Sequence, residues 1–288
     1  MKDKSVDIIL VCYKQERYIE QALRSIYAQE LPSDVTARII VADDCSPDDT
    51  LNIIKRLAPE SPFPLVFLPE EPNMGISKNY GRSFAATTAD YVAILEGDDY
   101  WLPGHLLQHL KFHQEHPNFS LSMNVITEYN EDADIIDVWD MFNGFNDDFK
   151  VVTLHQQIAE GNKLGNLSAC MFRGQYLRDI PVSLYDIIIA DWMLGIMVAQ
   201  HGDIGLLGVS TSIYRTKASG VWAGRSQWQQ SLGLIQMATL YDNYLGKRYH
   251  ADWKMFKRKC RHDIYRMAIQ NMLEYIKKFR HKVIGNCF

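Results

Sequence analysis

Residues 6–29, VDIILVCYKQERYIEQALRSIYAQ, change period once, and that change decides the fold class. VDIILVCY (6–13) is a continuous apolar run of strand length, whereas in RYIEQALRSIYAQ (17–29) the apolar residues Ile19, Ala22, Leu23 and Ile26 recur at helical spacing. A strand apolar on both faces and followed at once by an amphipathic helix is the repeating half of a parallel sheet covered by helices. The same alternation continues. ARIIVADD (37–44) is a second strand, and Ser46-Pro47-Asp48-Asp49 reads as a helix cap with Pro at the first helical position before TLNIIKRLA. PLVFLPE (64–70) is a third strand, GISKNYGRSFAATT (75–88) a third helix loosened at its start by Gly75, and DYVAIL (90–95) a fourth strand. The expected fold is α/β, a mostly parallel, Rossmann-like sheet flanked by helices and joined by right-handed crossovers.

After residue 100 the signal weakens. WLPGHLLQHLKFHQEHP reads as a helix stopped by Pro117, FSLSMNVITEY as one strand, and NEDADIIDVWDMFNGFNDDF as loop or short strand. LSACMFRG (167–174) and GDIGLLGVSTSIYR (202–215) read as strands, with DIIIADWMLGIMVAQHG mostly helical between them, and everything from Gln227 onward is helical. There is no internal repeat and no low-complexity linker. The division expected is 1–100, then 101–226 built onto the same sheet, then a helical C-terminal extension, 227–288.

A chain of 288 residues with 47% hydrophobic residues can bury a large core. No stretch of about eighteen uncharged apolar residues occurs, and the apolar run after MKDKS is too short for a signal peptide, so a cytoplasmic protein is expected. The five cysteines form no CxxC pair, which points to reduced thiols rather than a zinc site or disulfide framework. The net charge of −5 conceals an asymmetry: residues 254–288 hold ten Lys or Arg against two acids, so the negative excess lies entirely before them. Such a balance argues against a nucleic-acid partner. The oligomeric state is left open.

The acids fall where an open α/β sheet binds ligands, at the carboxyl ends of strands. Asp43 and Asp44 end the second strand, Glu96, Asp98 and Asp99 end the fourth, and Tyr13 with Glu16 follows the first. An Asp-Asp pair after one strand is often only a turn and a cap. Two such pairs at neighbouring strand ends repel unless a cation sits among them, and Mg2+ or Mn2+, completed by substrate phosphates, is the economical answer. Gly97 is read as the point where the backbone turns so that Asp98 and Asp99 face that ion. No GxGxxG follows the first strand and no GxxxxGK[ST] occurs, so metal and side chains must hold any phosphates.

These segments resemble glycosyltransferase family 2, inverting enzymes of the A-type fold that use nucleotide-diphospho sugars. VDIILVCYKQERYIEQALRSIYAQ resembles the family opening, IIVADDCSPDDT its VDDGSxDdT box, and NMGISKNYGRSFAATTADYVAILEGDDYW its NxGxxxxrNxGxxxAxGxYixxLDxDDxw stretch. SACMFRG, the ADW of 190–192 and IYRTKASGVW, similar to the YRxHxxgvW of bacterial members, extend the likeness downstream. The resemblance implies that Tyr13 and Asp43 hold the base, Asp44 the neighbouring ribose region with Glu16 in support, and that Lys78 touches nucleotide or phosphate. It implies further that Glu96, Asp98 and Asp99 stand for the DxD motif and its following acid, Asp99 and Asp98 being nearest the metal, and that Asp191 is the catalytic base. Residues 1–100 become the nucleotide-sugar half and 101–226 the acceptor-binding, catalytic half. The donor, uridine diphosphate by default, gives its sugar to a hydroxyl of a glycan or lipid-linked acceptor, as in bacterial surface polysaccharide synthesis.

Trp192 and Trp222 offer flat apolar faces for an acceptor sugar, although large aromatics are more often core. Two positions depart from the pattern. Glu96 is a longer carboxylate than the expected Asp, suited to ribose or water-mediated contacts, and Lys217 stands where the family has His. An ammonium cannot ligate a metal but can neutralise phosphate directly. Two other classes compete: a nucleotidyltransferase, which favours a Gly/Arg/Lys-rich loop that CYKQERY is not, and a non-catalytic sugar-nucleotide or carbohydrate-binding protein. In the tail, Trp253, Phe256, Cys260, Ile264, Ala268, Met272, Ile276, Phe279 and Val283 form a helical stripe with basic residues mostly off it. It reads either as a helix packed on the protein or as peripheral contact of residues 253–283 with the inner face of the plasma membrane.

Overall fold

Seven consecutive buried residues, Val6 to Cys12, all but Asp7 apolar, leave most of the first strand covered on both faces, which a strand tolerates only in the middle of a covered sheet. The computed structural model places it there, and it describes residues 4–139, 148–187, 191–216 and 225–284, with side chains through residue 274. The chain alternates through β1 (Lys4–Cys12), α1 (Ile19–Tyr27), β2 (Val35–Asp43), α2 (Thr50–Leu57), β3 (Leu65–Phe67), α3 (Ile76–Ala85) and β4 (Tyr91–Glu96). The second half adds β5 (Tyr100–Trp101), α4 (His105–Glu115), β6 (Leu121–Asn124), β7 (Thr127–Asn130), β8 (Ile135–Val138), β9 (Phe149–Val152), α5 (Leu154–Ala159), β10 (Cys170–Arg173), α6 (Gly174–Arg178), α7 (Asp191–Ala199), β11 (Ile204–Leu207) and β12 (Ser212–Thr216). Two long helices follow, α8 (Gln227–Tyr244) and α9 (His250–Ile284).

The main sheet runs β3-β2-β1-β4-β10-β6-β11-β9, with β3, β2, β1 and β4 mutually parallel and β10 antiparallel between β4 and β6. Ile8, Leu10, Ile39, Val41, Ala93 and Leu95 join Ile19, Leu23 and Ile26 of α1 in one core, each large aliphatic side chain contributing about 1.5–3 kcal/mol through burial. A smaller sheet, β5-β12-β7-β8, comes from stretches that looked continuous in the sequence. FSLSMNVITEY is not one strand: β6 pairs with β11 in the large sheet, the chain bends at Val125–Ile126, and β7 pairs with β12 in the small one. The partner stretch bends at the same level, where the Val125 N–H donates to the Val209 carbonyl at 2.9 Å. The Ser46–Asp49 turn also differs from expectation. Helix α2 begins at Thr50, so Pro47 lies before the helix, and Asp48 instead accepts from the Thr50 N–H and hydroxyl.

The chain divides into two compact units, one of residues 1–157 and 162–216, the other of 158–161 and 217–288. In the second, Asp242 near the end of α8 takes His250 Nδ1 at 2.7 Å and Lys257 Nζ at 3.3 Å from α9, and Tyr241 lies against Trp253. Trp253, Phe256 and Cys260 are buried, but Ala268 and Met272 are exposed. Around the exposed arc Met255, Tyr265, Met272 and Leu273 interleave with Lys254, Arg258, Arg261 and Arg266, so the exposed surface of the described part of α9 is mixed apolar and basic. Among the described residues no helix is long and apolar enough to cross a membrane.

Helix α4 buries a column of three histidines, His105, His109 and His113, spaced one turn apart. His105 Nδ1 meets the Thr211 hydroxyl, His109 Nδ1 the Ser122 hydroxyl at 2.7 Å, and His113 Nε2 donates to the Met171 carbonyl. Burial holds all three neutral, pulling His109 down to about 4, His113 to about 3 and His105 well below its usual value. A base with a depressed folded pKa leaves the unfolded chain binding more protons below pH 6.5, so this stabilisation is present above that pH and fades as pH falls toward the folded values. His109 and His113 thus each remove about 2 kcal/mol between pH 7 and pH 5, and His105 acts in the same direction. Replacing His109 by Gln should flatten the dependence of denaturant-measured stability on pH over that window relative to wild type. Equal slopes would refute the neutral-histidine account.

Candidate active site

Because β1, β2 and β4 are parallel neighbours, their C-terminal ends meet at one edge: Cys12 pairs with Asp43 and Val11 with Glu96. Two main-chain bonds extend the register beyond the strands, from the Asp44 N–H to the Cys12 carbonyl and from the Gly97 N–H to the Val11 carbonyl. Gly97 does not have the positive φ that would mark it as a turn glycine. Its role is close packing, since a Cβ there would lie 3.0 Å from Cys12 Cβ and 3.1 Å from Ile19 Cδ1. The backbone does turn at Gly97, as read from the sequence, and the turn is closed by the Asp99 N–H donating to the Glu96 carbonyl at 2.9 Å.

The two acids ending β2 have separate fates. Successive side chains of a strand point to opposite faces, and the same divergence persists here. Asp44 is only 3% exposed. Its carboxylate accepts from Asn73 Nδ2 and from the main-chain N–H groups of Met74 and Gly75, all at 2.9 Å. The Asp44 carboxylate is thereby taken up inside the chain, where it fixes the loop leading into α3 rather than offering its oxygens to a ribose. Asp43 is half-buried and accepts from the Ser46 N–H and hydroxyl. Tyr13, at 40% exposure, stands at the open end of β1, followed by Lys14 in the left-handed region at φ 57°. Glu16 is exposed and ties the β1–α1 loop to α2, accepting from the Asp49 N–H while its own N–H donates to Asp48.

The acids after β4 are likewise unequal. Asp99 is 2% exposed and takes three donors: Ser168 Oγ at 2.6 Å, Asn166 Nδ2 at 2.9 Å and the Arg215 N–H at 2.9 Å. Glu96 accepts from the Tyr80 hydroxyl at 2.7 Å and from Asn166 Nδ2 at 3.3 Å. The Asp98 carboxylate has no hydrogen-bond or ion-pair partner among the described residues, and only its carbonyl is held, by Arg215 Nε at 2.9 Å. Burial, then repulsion from Asp99 and Asp98, raises the Glu96 carboxyl, and burial, then Asp98, raises that of Asp99.

Far along the chain, Asp191 opens α7. Its Oδ2 accepts from Asn162 Nδ2 at 2.6 Å and its Oδ1 from the Trp192 N–H at 2.9 Å, which together set the plane of the carboxylate. Burial raises its pKa, and its charge in turn bears on Glu96, Tyr80 and Tyr214, so the fold brings it into electrostatic range of the β4 acids. Trp192 is a different matter. It is 1% exposed and its Nε1 donates to the Gln157 carbonyl, so it is core and presents no face to a sugar. Lys78 lies in the first turn of α3, largely exposed, 3.3 Å from Asp186. Lys217 and Trp222 lie outside the described residues.

Tyr80, Asn162, Asn166, Ser168 and Arg215 went unmarked in the sequence reading although they hold the acids in place. Arg215 stood inside the quoted IYRTKASGVW, and Ser168 just ahead of the CMFR strand. Among the described residues no three His, Cys, Asp or Glu are already arranged around an ion. That suits Mg2+ or Mn2+, which bind through one or two carboxylates plus substrate phosphates and waters rather than in a preformed protein cage. The carboxylate of Asp98 fits such a role, and that of Asp99, whose Oδ2 takes two donors and Oδ1 one, is the more committed of the two.

Comparison with known proteins bears on the same residues. The family model described as Glycosyl transferase family 2 matches residues 7–172. An uncharacterized protein of Mycobacterium tuberculosis, Rv1520, is 29% identical over 247 residues, covering 82% of this chain and 66% of its own length, so this chain spans just under two thirds of that relative. Among solved structures, S. aureus TarS 1-349 in complex with UDP-GlcNAc superposes with a TM-score of 0.58 at 18% identity, covering 82% of this chain and 66% of that one. The mannosyltransferase PcManGT from Pyrobaculum calidifontis, in complex with GDP-Man and Mn2+, gives 0.60 at 18% identity, with 81% and 63% covered. At such identity these two structures speak to the fold, which is that of A-type glycosyltransferases.

Proposed function

The chain belongs to glycosyl transferase family 2, and on that footing we propose that it is an inverting glycosyltransferase carrying a sugar from a nucleotide-diphospho sugar to a hydroxyl of a glycan or lipid-linked acceptor in bacterial surface polysaccharide synthesis. The observation that supports the reading best is that a carboxylate without a partner among the described residues, Asp98, belongs to the same group of interacting acids as a second one, Asp191, oriented by Asn162. The first suits a cation beside a diphosphate, the second a proton acceptor beside a hydroxyl. Residues 1–100 are proposed as the donor half, 101–226 as the acceptor and catalytic half, and 227–288 as an extension.

In this scheme Tyr13 and Asp43 face the base, Glu16 and Asp44 hold the surrounding loops, and Glu96 lies toward the ribose. Lys78 can exchange Asp186 for phosphate at little cost, because an exposed ion pair is worth at most about 1 kcal/mol. Asp98 would hold a divalent ion, which when bound would supply stabilisation of the charge on the departing diphosphate. Asp191 removes the acceptor proton as its oxygen attacks the anomeric carbon opposite the leaving group, so the configuration inverts. Its raised pKa makes it a stronger base than an ordinary aspartate, and Asn162 keeps it in place.

A melting-temperature panel of uridine, guanosine and thymidine diphosphates with and without Mn2+ tests the donor site. A ligand at one hundred times its Kd adds about 2.7 kcal/mol to the native state. Uridine diphosphate is expected to raise the melting temperature more with Mn2+ than without, and a flat panel would refute a donor site. Slow release of free sugar from a uridine-diphospho sugar separates an enzyme from a binding protein. Pyrophosphate release from a nucleoside triphosphate and a sugar phosphate would instead favour nucleotidyl transfer.

A further inference from the structure

Arg215 makes more connections around the acids than any single role in charge balance requires. Its main-chain N–H donates to Asp99 Oδ1 and its Nε to the Asp98 carbonyl, both at 2.9 Å, while Nη2 donates to Gln21 Oε1 at 2.8 Å. The guanidinium carbon lies 4.8 Å from the ring centroid of Tyr18, 5.3 Å from that of Tyr129 and 5.7 Å from that of Tyr100. Tyr18 is itself secured, its hydroxyl donating to Glu131 at 2.7 Å while Arg17 pairs with the same carboxylate at 2.8 Å. One side chain thus joins α1, the turn after β4 and the small sheet through β12.

The direction of these bonds matters more than their number. Arg215 does not neutralise the Asp98 carboxylate. It takes hold of the groups beside it, grasping the Asp98 carbonyl with the side chain and the neighbouring Asp99 carboxylate with the main chain. The carboxylate between these anchors is left without a partner among the described residues. A planar guanidinium seated among three aromatic rings has little freedom to swing toward that carboxylate and close a salt bridge.

We infer that Arg215 is a positioning residue for the metal and diphosphate subsite, keeping the Asp98 carboxylate turned outward and uncommitted. This rests on the donor-site reading above. Lysine cannot take over, because an ammonium lacks the fixed fork needed to reach the Asp98 carbonyl and Gln21 together while lying flat against the rings. Loss of a partner that orients a metal ligand costs about 10–100-fold in metal affinity.

The test is calorimetric titration of Mn2+ into the full chain saturated with uridine diphosphate, for wild type, Arg215→Ala and Arg215→Lys, with the melting temperature of each. Both variants are expected to bind Mn2+ about 10–100-fold more weakly than wild type, while nucleotide binding without metal stays unchanged. If Arg215→Lys binds Mn2+ as wild type does, positive charge alone suffices and the inference is overturned. Wild-type affinity in both variants overturns it as well. Arg215→Lys retains the stem and the charge, so it carries the test should Arg215→Ala fail to fold. Absence of any Mn2+-dependent binding in wild type would instead strike at the donor-site reading, and the inference would fall with it.

Discussion

Asp191→Asn is expected to lower kcat by about a thousandfold, within the 10²–10⁴ range associated with a positioned general base. The amide has nearly the volume of the carboxylate and can still accept the Trp192 N–H, so α7 keeps its first turn. What disappears is the lone pair that takes the acceptor proton. Relief of the buried charge offsets the cost of setting the amide nitrogen against Asn162 Nδ2, so the melting temperature should move little, and the Michaelis constant for the donor should hardly move. That combination distinguishes a lost chemical step from a damaged fold. The pH profile carries a second mark: with the Asp191 pKa raised, the acid limb of wild-type kcat/KM should lie above the range of an ordinary aspartate, activity falling as pH drops through it. A variant within threefold of wild type in kcat would remove Asp191 from the mechanism.

The second large effect is expected at Asp98. Asp98→Asn deletes the one carboxylate of the group that has no partner inside the described chain, and should weaken turnover by about 10²–10³ through lost stabilisation of the leaving diphosphate. The isolated protein, by contrast, should become more stable. Asp98 is among the charges that raise both Glu96 and Asp99, so its neutralisation relieves repulsion within a buried cluster. The readout is therefore paired: a higher melting temperature without ligand, and loss of the further rise that Mn2+ gives with uridine diphosphate. Asp99→Asn should behave in the opposite way and destabilise the free protein, because an amide nitrogen would face donors that need an acceptor. If Asp98→Asn retains full Mn2+ dependence, the ion is held elsewhere.

The first hundred residues were legible because their two periods do not overlap. A run such as VDIILVCY cannot be half-buried, and Ile19, Ala22, Leu23 and Ile26 cannot line one face of a strand. Beyond Trp101 the same logic failed for a geometric reason. FSLSMNVITEY stays mostly buried while the chain passes from one sheet to the other, and burial pattern alone does not record which sheet does the burying. The positions of the acids could be read because strand ends could be. Their partners could not: Asn166, Ser168 and Arg215 reach Asp99 across 67, 69 and 116 residues, and a lone Asn or Ser at a strand end carries no periodic mark. Trp192 was misjudged because adjacency to Asp191 suggested a shared role, whereas neighbours on a helix point about 100° apart and this one enters the core. The difference between Asp43 and Asp44 was within reach, since two consecutive residues leaving a strand face opposite ways.

That last pair has a consequence for how such a protein can change. Asp44 is a strut, and Asp43, one residue away in the same acidic dipeptide, is the proposed reader of the base. Hydrogen bonds to a buried charge are worth about 1.5–3 kcal/mol each, so position 44 is closed to substitution by the needs of folding alone. Tyr13, facing outward, is free of that demand. If Tyr13 faces the base as proposed, a lineage or a laboratory library that varies the exposed aromatic and leaves the buried acid untouched can explore new donors without first rebuilding the scaffold that presents them.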